Sequence, residues 1–229
     1  MKRSAAEAAV SQLKSLAQEH GLLLPPFAHW SRQEWAARRD ELQDLVRRGI
    51  GWDVTDYGSG DFSTRGLCLL TLRNGTLAER DAGRGQTYAE KLMLSGVGQE
   101  TPLHAHRHKT EDIINRGGGT LVVEVHTLDD SAPRARVQVD SVTREVPSGE
   151  RVRLEPGQSI QLPAGVYHRF WAEGSPVLAG EVSGVNDDAE DNVFAEDLPR
   201  FSEIEEDTEA RHLLVSEYAE LLSPPVQKS

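Results

Sequence analysis

The sequence predicts an all-β core, a barrel or sandwich of many short strands, with helices attached at its N- and C-terminal ends. Three observations predict it. Between Gly49 and Val185 the chain runs as ten or so short β-like segments punctuated by Gly, Pro, Asn and Asp, with no helical pattern between them. Helical periodicity is confined to the first 50 residues and to a final stretch ahead of Pro224-Pro225. Aromatic residues make up only 6% of the chain and apolar residues 38%, so the core must be mostly Val, Leu, Ile and Ala.

Taken in order, the elements have local causes. Ser4-Ala5-Ala6-Glu7 and Ser31-Arg32-Gln33-Glu34 both carry the S-x-x-E form, in which Ser and Glu side chains satisfy free N–H groups at a helix start. Val10, Leu13, Leu16 and Ala17 repeat at helical spacing until His20-Gly21 supplies a stop. Leu22 to Phe27 must be extended, because each residue before a proline is pushed out of the α region. A second helix is expected from about Gln33 to Arg48, with Trp35, Leu42 and Leu45 as its apolar positions. Strands are expected near 66–73, 88–95, 101–106, 111–115, 119–127, 136–139, 142–146, 151–154, 158–162, 167–172 and 177–183. Gly117-Gly118-Gly119 lacks a following Lys-Ser/Thr and a helix start, so it reads as a turn between strands and not as a phosphate cradle. Beyond residue 186 the chain turns acidic, and a last helix is expected over roughly 208–222. The division is a helical extension over 1–50, a barrel over 51–195, and an acidic segment with the C-terminal helix over 196–229, together one structural domain.

With 25 Lys and Arg against 37 Asp and Glu, the formal net charge is −12, and no basic cluster interrupts it. Such a chain repels a phosphate backbone, so no nucleic-acid partner is expected. The longest uncharged apolar stretch falls short of the roughly 18 residues of a membrane span, and the N-terminus has no signal-type apolar region. The expectation is a cytoplasmic protein with no membrane partner. Cys68 has no second cysteine to pair with and sits in Gly66-Leu67-Cys68-Leu69-Leu70, where it reads as a small buried hydrophobe.

The chemistry gathers around Thr101-Pro102-Leu103-His104-Ala105-His106-Arg107-His108. Alternation on a strand sends His104, His106 and His108 to one face. Taken alone, that reads more simply as a solvated strand face than as a site. Glu111 follows closely, however, and His168 lies in a second β segment. Imidazoles and one carboxylate on rigid strands bind a divalent transition metal while leaving coordination positions open. The surrounding punctuation decides for the metal. Gly98, His104, His106, Glu111 and Gly117 are spaced G-x5-H-x-H-x4-E-x5-G, and Gly157, Pro163, Gly165 and His168 are spaced G-x5-P-x-G-x2-H. Both resemble the signature motifs of the cupin superfamily, which implies a cupin β-barrel, the double-stranded β-helix or jelly roll.

Pro163 and Gly165 then form a tight turn into the strand that carries His168. Glu111 has the opposite parity to His104 and His106, so the interval Arg107-His108-Lys109-Thr110 reads as a hairpin that returns Glu111 to their side. His104, His106, Glu111 and His168 are taken as the metal ligands. His108 is the competitor, placed behind the ligands or exposed.

Further segments extend the resemblance. Gly51-Trp52-Asp53-Val54-Thr55-Asp56-Tyr57-Gly58, Thr71-Leu72-Arg73-Asn74-Gly75, Glu111-Asp112-Ile113-Ile114-Asn115-Arg116, Tyr167-His168-Arg169-Phe170-Trp171 and Glu181-Val182-Ser183 look like bacterial D-lyxose isomerases over roughly residues 20–207. The resemblance implies a Mn2+-dependent aldose–ketose isomerase, usually a homodimer. It would interconvert D-lyxose and D-xylulose, and often D-mannose and D-fructose, through a metal-stabilised enediol(ate). Other divalent transition metals suit the same ligands. An iron-dependent cupin dioxygenase and a non-enzymatic sugar-binding cupin are the alternatives, because this fold hosts many chemistries.

Such a reaction needs a base near C1–C2 and donors on the sugar hydroxyls. Lys91 lies in an otherwise apolar segment before the first motif; an edge-strand charge is the competing reading, and the resemblance favours a pocket role. Glu181, also inside an apolar run, is either the catalytic base or half of a structural salt bridge. Asp188, as a further catalytic carboxylate, and Asp191, on the substrate, lie in an acidic loop for which a solvated surface is the simpler reading, although this segment could cover the barrel mouth. Of Phe170 and Trp171, one is expected to pack on sugar C–H groups and the other to be core. With no other anion-binding device evident, a free sugar is favoured over a sugar phosphate.

Overall fold

The computed structural model describes residues 1–127, 133–187 and 190–219. It opens with helix α1 (Arg3–Glu19) and continues through a 3-10 turn (Pro26–His29) to the short helices α2 (Arg32–Ala37) and α3 (Gln43–Arg47). Strands β1 (Gly51–Thr55) and β2 (Leu67–Arg73) follow, then helix α4 (Leu77–Asp81), β3 (Tyr88–Ser95), β4 (His104–His106) and β5 (Glu111–His126). The rest comprises β6 (Arg134–Val139), β7 (Val142–Pro147), β8 (Glu150–Leu154), β9 (Ser159–Leu162), β10 (Tyr167–Gly184), β11 (Asn192–Phe194) and a 3-10 turn at Val215–Glu217. Strand pairing is antiparallel and runs β1-β2-β3-β10-β5-β9-β6-β7, with β4 on β10 and β11, and β8 on β5. The core is the all-β barrel that the short segments predict. Among the described residues no helix is long and apolar enough to cross a membrane.

Two packed layers explain why β2 and β3 are apolar on both faces. Leu67, Leu69, Met93 and Ala179 point into the barrel with Ile113, Ile160 and Phe170. Their neighbours Cys68, Leu70, Leu92, Leu94 and Leu178 point outward and are covered by Ala6, Ala9, Val10, Leu13 and Ala17 of α1. Cys68 is accordingly fully buried, and burial pushes its thiol up, out of the range of a nucleophile.

Expected strands 111–115 and 119–127 merge into β5, and 167–172 and 177–183 merge into β10. Gly117-Gly118-Gly119 is therefore not a turn between strands. It lies inside β5, where the register against β10 shifts twice, between Glu173 and Val177 and between Leu178 and Ala179. Gly118 holds φ +104°, and a Cβ on it would lie 2.1 Å from the Pro176 carbonyl oxygen. Gly118→Ala should therefore cost on the order of 3 kcal/mol, from backbone strain plus overlap, read as a lowered melting temperature.

Other differences have equally local reasons. Ser31 caps α2 with the expected box, but Ser4 lies inside α1 and bonds Asp207 instead. The expected helix 33–48 breaks between α2 and α3, because only Trp35 and Leu42 are buried there and no continuous apolar stripe holds it together. Of the expected C-terminal helix, residues 208–214 are not helical, with Leu214 bridging Trp52; a 3-10 turn follows at Val215–Glu217, 218–219 are helical, and 220–222 lie outside the described residues. Strand β1 was not expected, since Asp53 breaks its apolar run; Arg200 pairs with that buried carboxylate at 2.6 Å.

Candidate metal centre and active site

Strand β4 carries His104 and His106 two residues apart, so both rings face the barrel interior, while Ala105 faces the other way. His104 is the register partner of His168 on β10. The turn at Pro163–Val166, with Gly165 at φ +82°, also clamps β4, because Gly165 N donates to the His106 carbonyl. The expected hairpin is absent, since β4 pairs with β10 and β11. Glu111 arrives on β5, held between Ser183 of β10 and Leu162 of β9. The barrel's closure, not a returning strand, brings its carboxylate to the histidines.

One donor atom from each of His104, His106, Glu111 and His168 lies within 4.8 Å of all the others. Glu111 Oε1 is 2.9 Å from His168 Nε2, and Oε2 is 3.1 Å from His106 Nε2. His104 Nδ1 lies 2.9 Å from the Pro102 carbonyl and His168 Nδ1 3.1 Å from the Val166 carbonyl. A carbonyl only accepts, so each Nδ1 must carry the proton and each Nε2 presents a lone pair. His168 turns Nε2 towards Glu111 Oε1 at 2.9 Å. That buried Nε2 has no hydrogen-bond partner. A cation would satisfy it, and three imidazoles with one carboxylate suit a first-row divalent ion.

The second shell follows the same pattern. Asp191 Oδ2 stands 3.5 Å behind His106 Nδ1, the carboxylate–histidine arrangement that orients a ligating ring. Burial, then the neighbouring His168 and His106, hold the His104 imidazole well below its usual pKa. Burial pushes Glu111 up, but Lys109 and His106 outweigh it and keep the carboxyl well below the usual range. His108 is exposed; its backbone N–H donates to Asp191 Oδ1.

Beside the cluster sits a second buried group. Lys91 and Glu181 are register partners across β3 and β10, with Nζ and Oε2 3.4 Å apart. Strand β3 lies between β2 and β10, so the edge-strand reading of Lys91 is excluded. Lys109 Nζ is 2.7 Å from Glu181 Oε1 and 3.0 Å from Glu111 Oε2, joining the two groups. Asn186 Oδ1 accepts from Lys91 at 2.7 Å and from Lys109 at 3.2 Å. Burial raises the Glu181 carboxyl and Glu111 adds to that, but Lys109 and Lys91 prevail and lower it, so it is ionised at neutral pH.

His104, His106, Glu111, Lys91, Lys109 and Glu181 line one cavity, about 40 Å3 in volume and open to solvent on one side. Phe170 lines it and Trp171 does not. Trp171 faces the barrel exterior, with the Arg151 and Arg169 guanidinium groups 5.3 and 5.8 Å from its ring, and is removed from the substrate-contacting candidates. Alternation already held the reason: Phe170 shares the parity of His168, and Trp171 does not. Asp191 stands behind His106 and is not among the cavity-lining residues, so the structure places it in support of a ligand. Asp188 lies outside the described residues. Sequence reasoning missed Lys109, Asn186 and Arg200. Only Lys109 left a signal, at the alternate position before Glu111.

A family model described as D-lyxose isomerase matches residues 1–218. The D-lyxose/D-mannose isomerase of Serratia proteamaculans is 43% identical over 230 residues, 97% of this chain and 100% of that protein. The protein of the same description from Escherichia coli O157:H7 is 42% identical over 95% of this chain and 98% of its own. Among solved structures, L-ribose isomerase of Cellulomonas parahominis with L-ribose superposes with a TM-score of 0.58 at 18% identity, covering 90% of this chain and 98% of that one. The same protein without ligand gives a TM-score of 0.56, also at 18% identity, covering 86% of this chain and 93% of that one. These two likenesses show the shared fold.

Proposed function

The chain belongs to the D-lyxose isomerase family, and on that premise we propose that it is a metal-dependent aldose–ketose isomerase. Its substrates are D-lyxose and D-xylulose, and also D-mannose and D-fructose, as free sugars. One observation carries this reading: His104, His106 and Glu111 of the donor cluster line a single cavity together with Lys91, Lys109 and Glu181. The family match favours this reading over a dioxygenase or a non-enzymatic sugar binder.

His104, His106 and His168 through Nε2, and Glu111 through its carboxylate, would hold the ion, for which we propose Mn2+. Bound there, a divalent cation supplies Lewis-acid stabilisation of negative charge on the sugar's C1 and C2 oxygens. Glu181 is the carboxylate placed to take a proton from one carbon and return it to the other. Lys109 and Lys91 keep that carboxylate ionised and present N–H donors to the sugar oxygens. Phe170 offers an aromatic face to the C–H side of the sugar, and Asp191 holds the His106 ring in place.

The test is an NMR screen of free aldoses in D2O with metal-loaded protein. D-lyxose and D-mannose should convert to their ketoses, and a screen without turnover overturns the proposal. A cytoplasmic homodimer completes the reading. Leu23 is 98% exposed beside Leu22, an apolar corner that a second copy would cover. Light scattering at micromolar concentration should give twice the chain mass.

A further inference from the structure

Arg200 reaches the cavity from outside the motif-bearing strands, from the segment that follows β11. Its Nη2 donates to Asp53 Oδ2 at 2.6 Å, and that carboxylate is only 3% exposed. The segment itself is tied to β1: Thr55 Oγ1 donates to the Arg200 carbonyl at 3.0 Å, and the Asp56 N–H donates to Ser202 Oγ at 2.8 Å. The guanidinium is thus a fixed part of the wall.

That wall stands away from the ion-binding cluster. Asp53 is opposite Leu69 of β2, which is opposite Met93 of β3, which is opposite Ala179 of β10. Three strand spacings of about 4.8 Å separate β1 from the strand that carries Glu181 and His168, on the order of 14 Å along the curved sheet. A five- or six-carbon sugar held by O1 and O2 at the cluster, with its contacts at each end, is comparable in length. Tyr57, Leu67, Leu69 and Phe194 make the remainder of this side apolar or aromatic.

Charge narrows what the far end accepts. Lys91 and Lys109 are paired with Glu181 and Glu111, and Arg200 with Asp53. A terminal phosphate would meet a guanidinium beside a buried carboxylate that repels it. A hydroxyl accepts a guanidinium N–H without that repulsion.

We propose that Arg200, oriented by Asp53, is the specificity-determining residue that binds the terminal hydroxyl end of the sugar and selects an unphosphorylated chain. The proposal rests on the isomerase reading above. D-mannose is one carbon longer than D-lyxose, so its terminal hydroxyl reaches Arg200 more fully and its affinity depends more on that contact.

Steady-state kinetics of metal-loaded Arg200→Met, Arg200→Lys and wild type, on both sugars, test it. For Arg200→Met, KM for D-mannose should rise about 10- to 100-fold, the worth of one charge-assisted hydrogen bond. KM for D-lyxose should rise less. Arg200→Lys should recover part of the loss. If the KM ratio of the two sugars is the same in Arg200→Met as in wild type, the proposal fails. Where Arg200→Met does not fold, Asp53→Asn serves: it should bind a 6-phosphorylated hexose as a competitive inhibitor more tightly than wild type does, and unchanged inhibition overturns the proposal. Absence of turnover in the wild-type arm would instead overturn the isomerase reading.

Discussion

His168→Ala is expected to abolish nearly all metal binding and turnover together. His168 is 1% exposed and sits opposite His104 in register, and its Nε2 faces Glu111 at 2.9 Å. Removing the ring deletes a ligand from the centre of the cluster and leaves a cavity too enclosed for the rest to re-form the site. His104→Ala and His106→Ala should behave alike, while His108→Ala, altering an exposed side chain, should retain metal and activity. Chelation of the wild type should abolish turnover, and Mn2+ should restore it. Metal analysis of the purified variants checks the assignment; full stoichiometry in His168→Ala overturns it.

Glu181→Gln should lower turnover on the order of 10²–10⁴-fold, the usual weight of a general acid–base group. The structure adds a second effect. Glu181 is the shared partner of Lys109 and Lys91, so the base and the buried ion pair are one residue, and the melting temperature should fall as well. Turnover must therefore be measured per folded, metal-loaded molecule. Lys91→Ala should keep the metal, because Lys91 does not contact the donor atoms, and should lose turnover in the same range. A Glu181→Gln protein that is destabilised yet isomerises near the wild-type rate would move the base elsewhere and leave Glu181 a structural pair.

The metal cluster was legible because its information is local. His104 and His106 share a face by alternation alone, and Pro163-x-Gly165 requires a turn wherever it occurs. The strands at 66–73 and 88–95 announced themselves through apolar runs bounded by turn residues, and the structure places them at Leu67–Arg73 and Tyr88–Ser95. What the sequence left open was how the strands pair. A hairpin between His106 and Glu111 was the simplest local path, yet the two strands are not paired. Glu111 reaches the histidines through the pairing of β5 with β10, whose register shifts near Gly117–Gly119 and between Glu173 and Val177. That pairing brings Gly118 close to the Pro176 carbonyl, 58 positions along the chain.

The same reason separates Glu181 and Lys91 from their surroundings. Their charges inside apolar runs marked them in the sequence, but Lys109 and Asn186, which set the state of that carboxylate, come from connecting segments with no periodicity to read. Arg200 is the extreme case, its place decided by Asp53 147 positions away. The sequence by itself determined the strands, the turns and the four candidate ligands, because period-two burial and motif spacing act over a few residues. Only the tertiary structure decided which side chains surround them, because register and bulges couple segments that the chain keeps far apart.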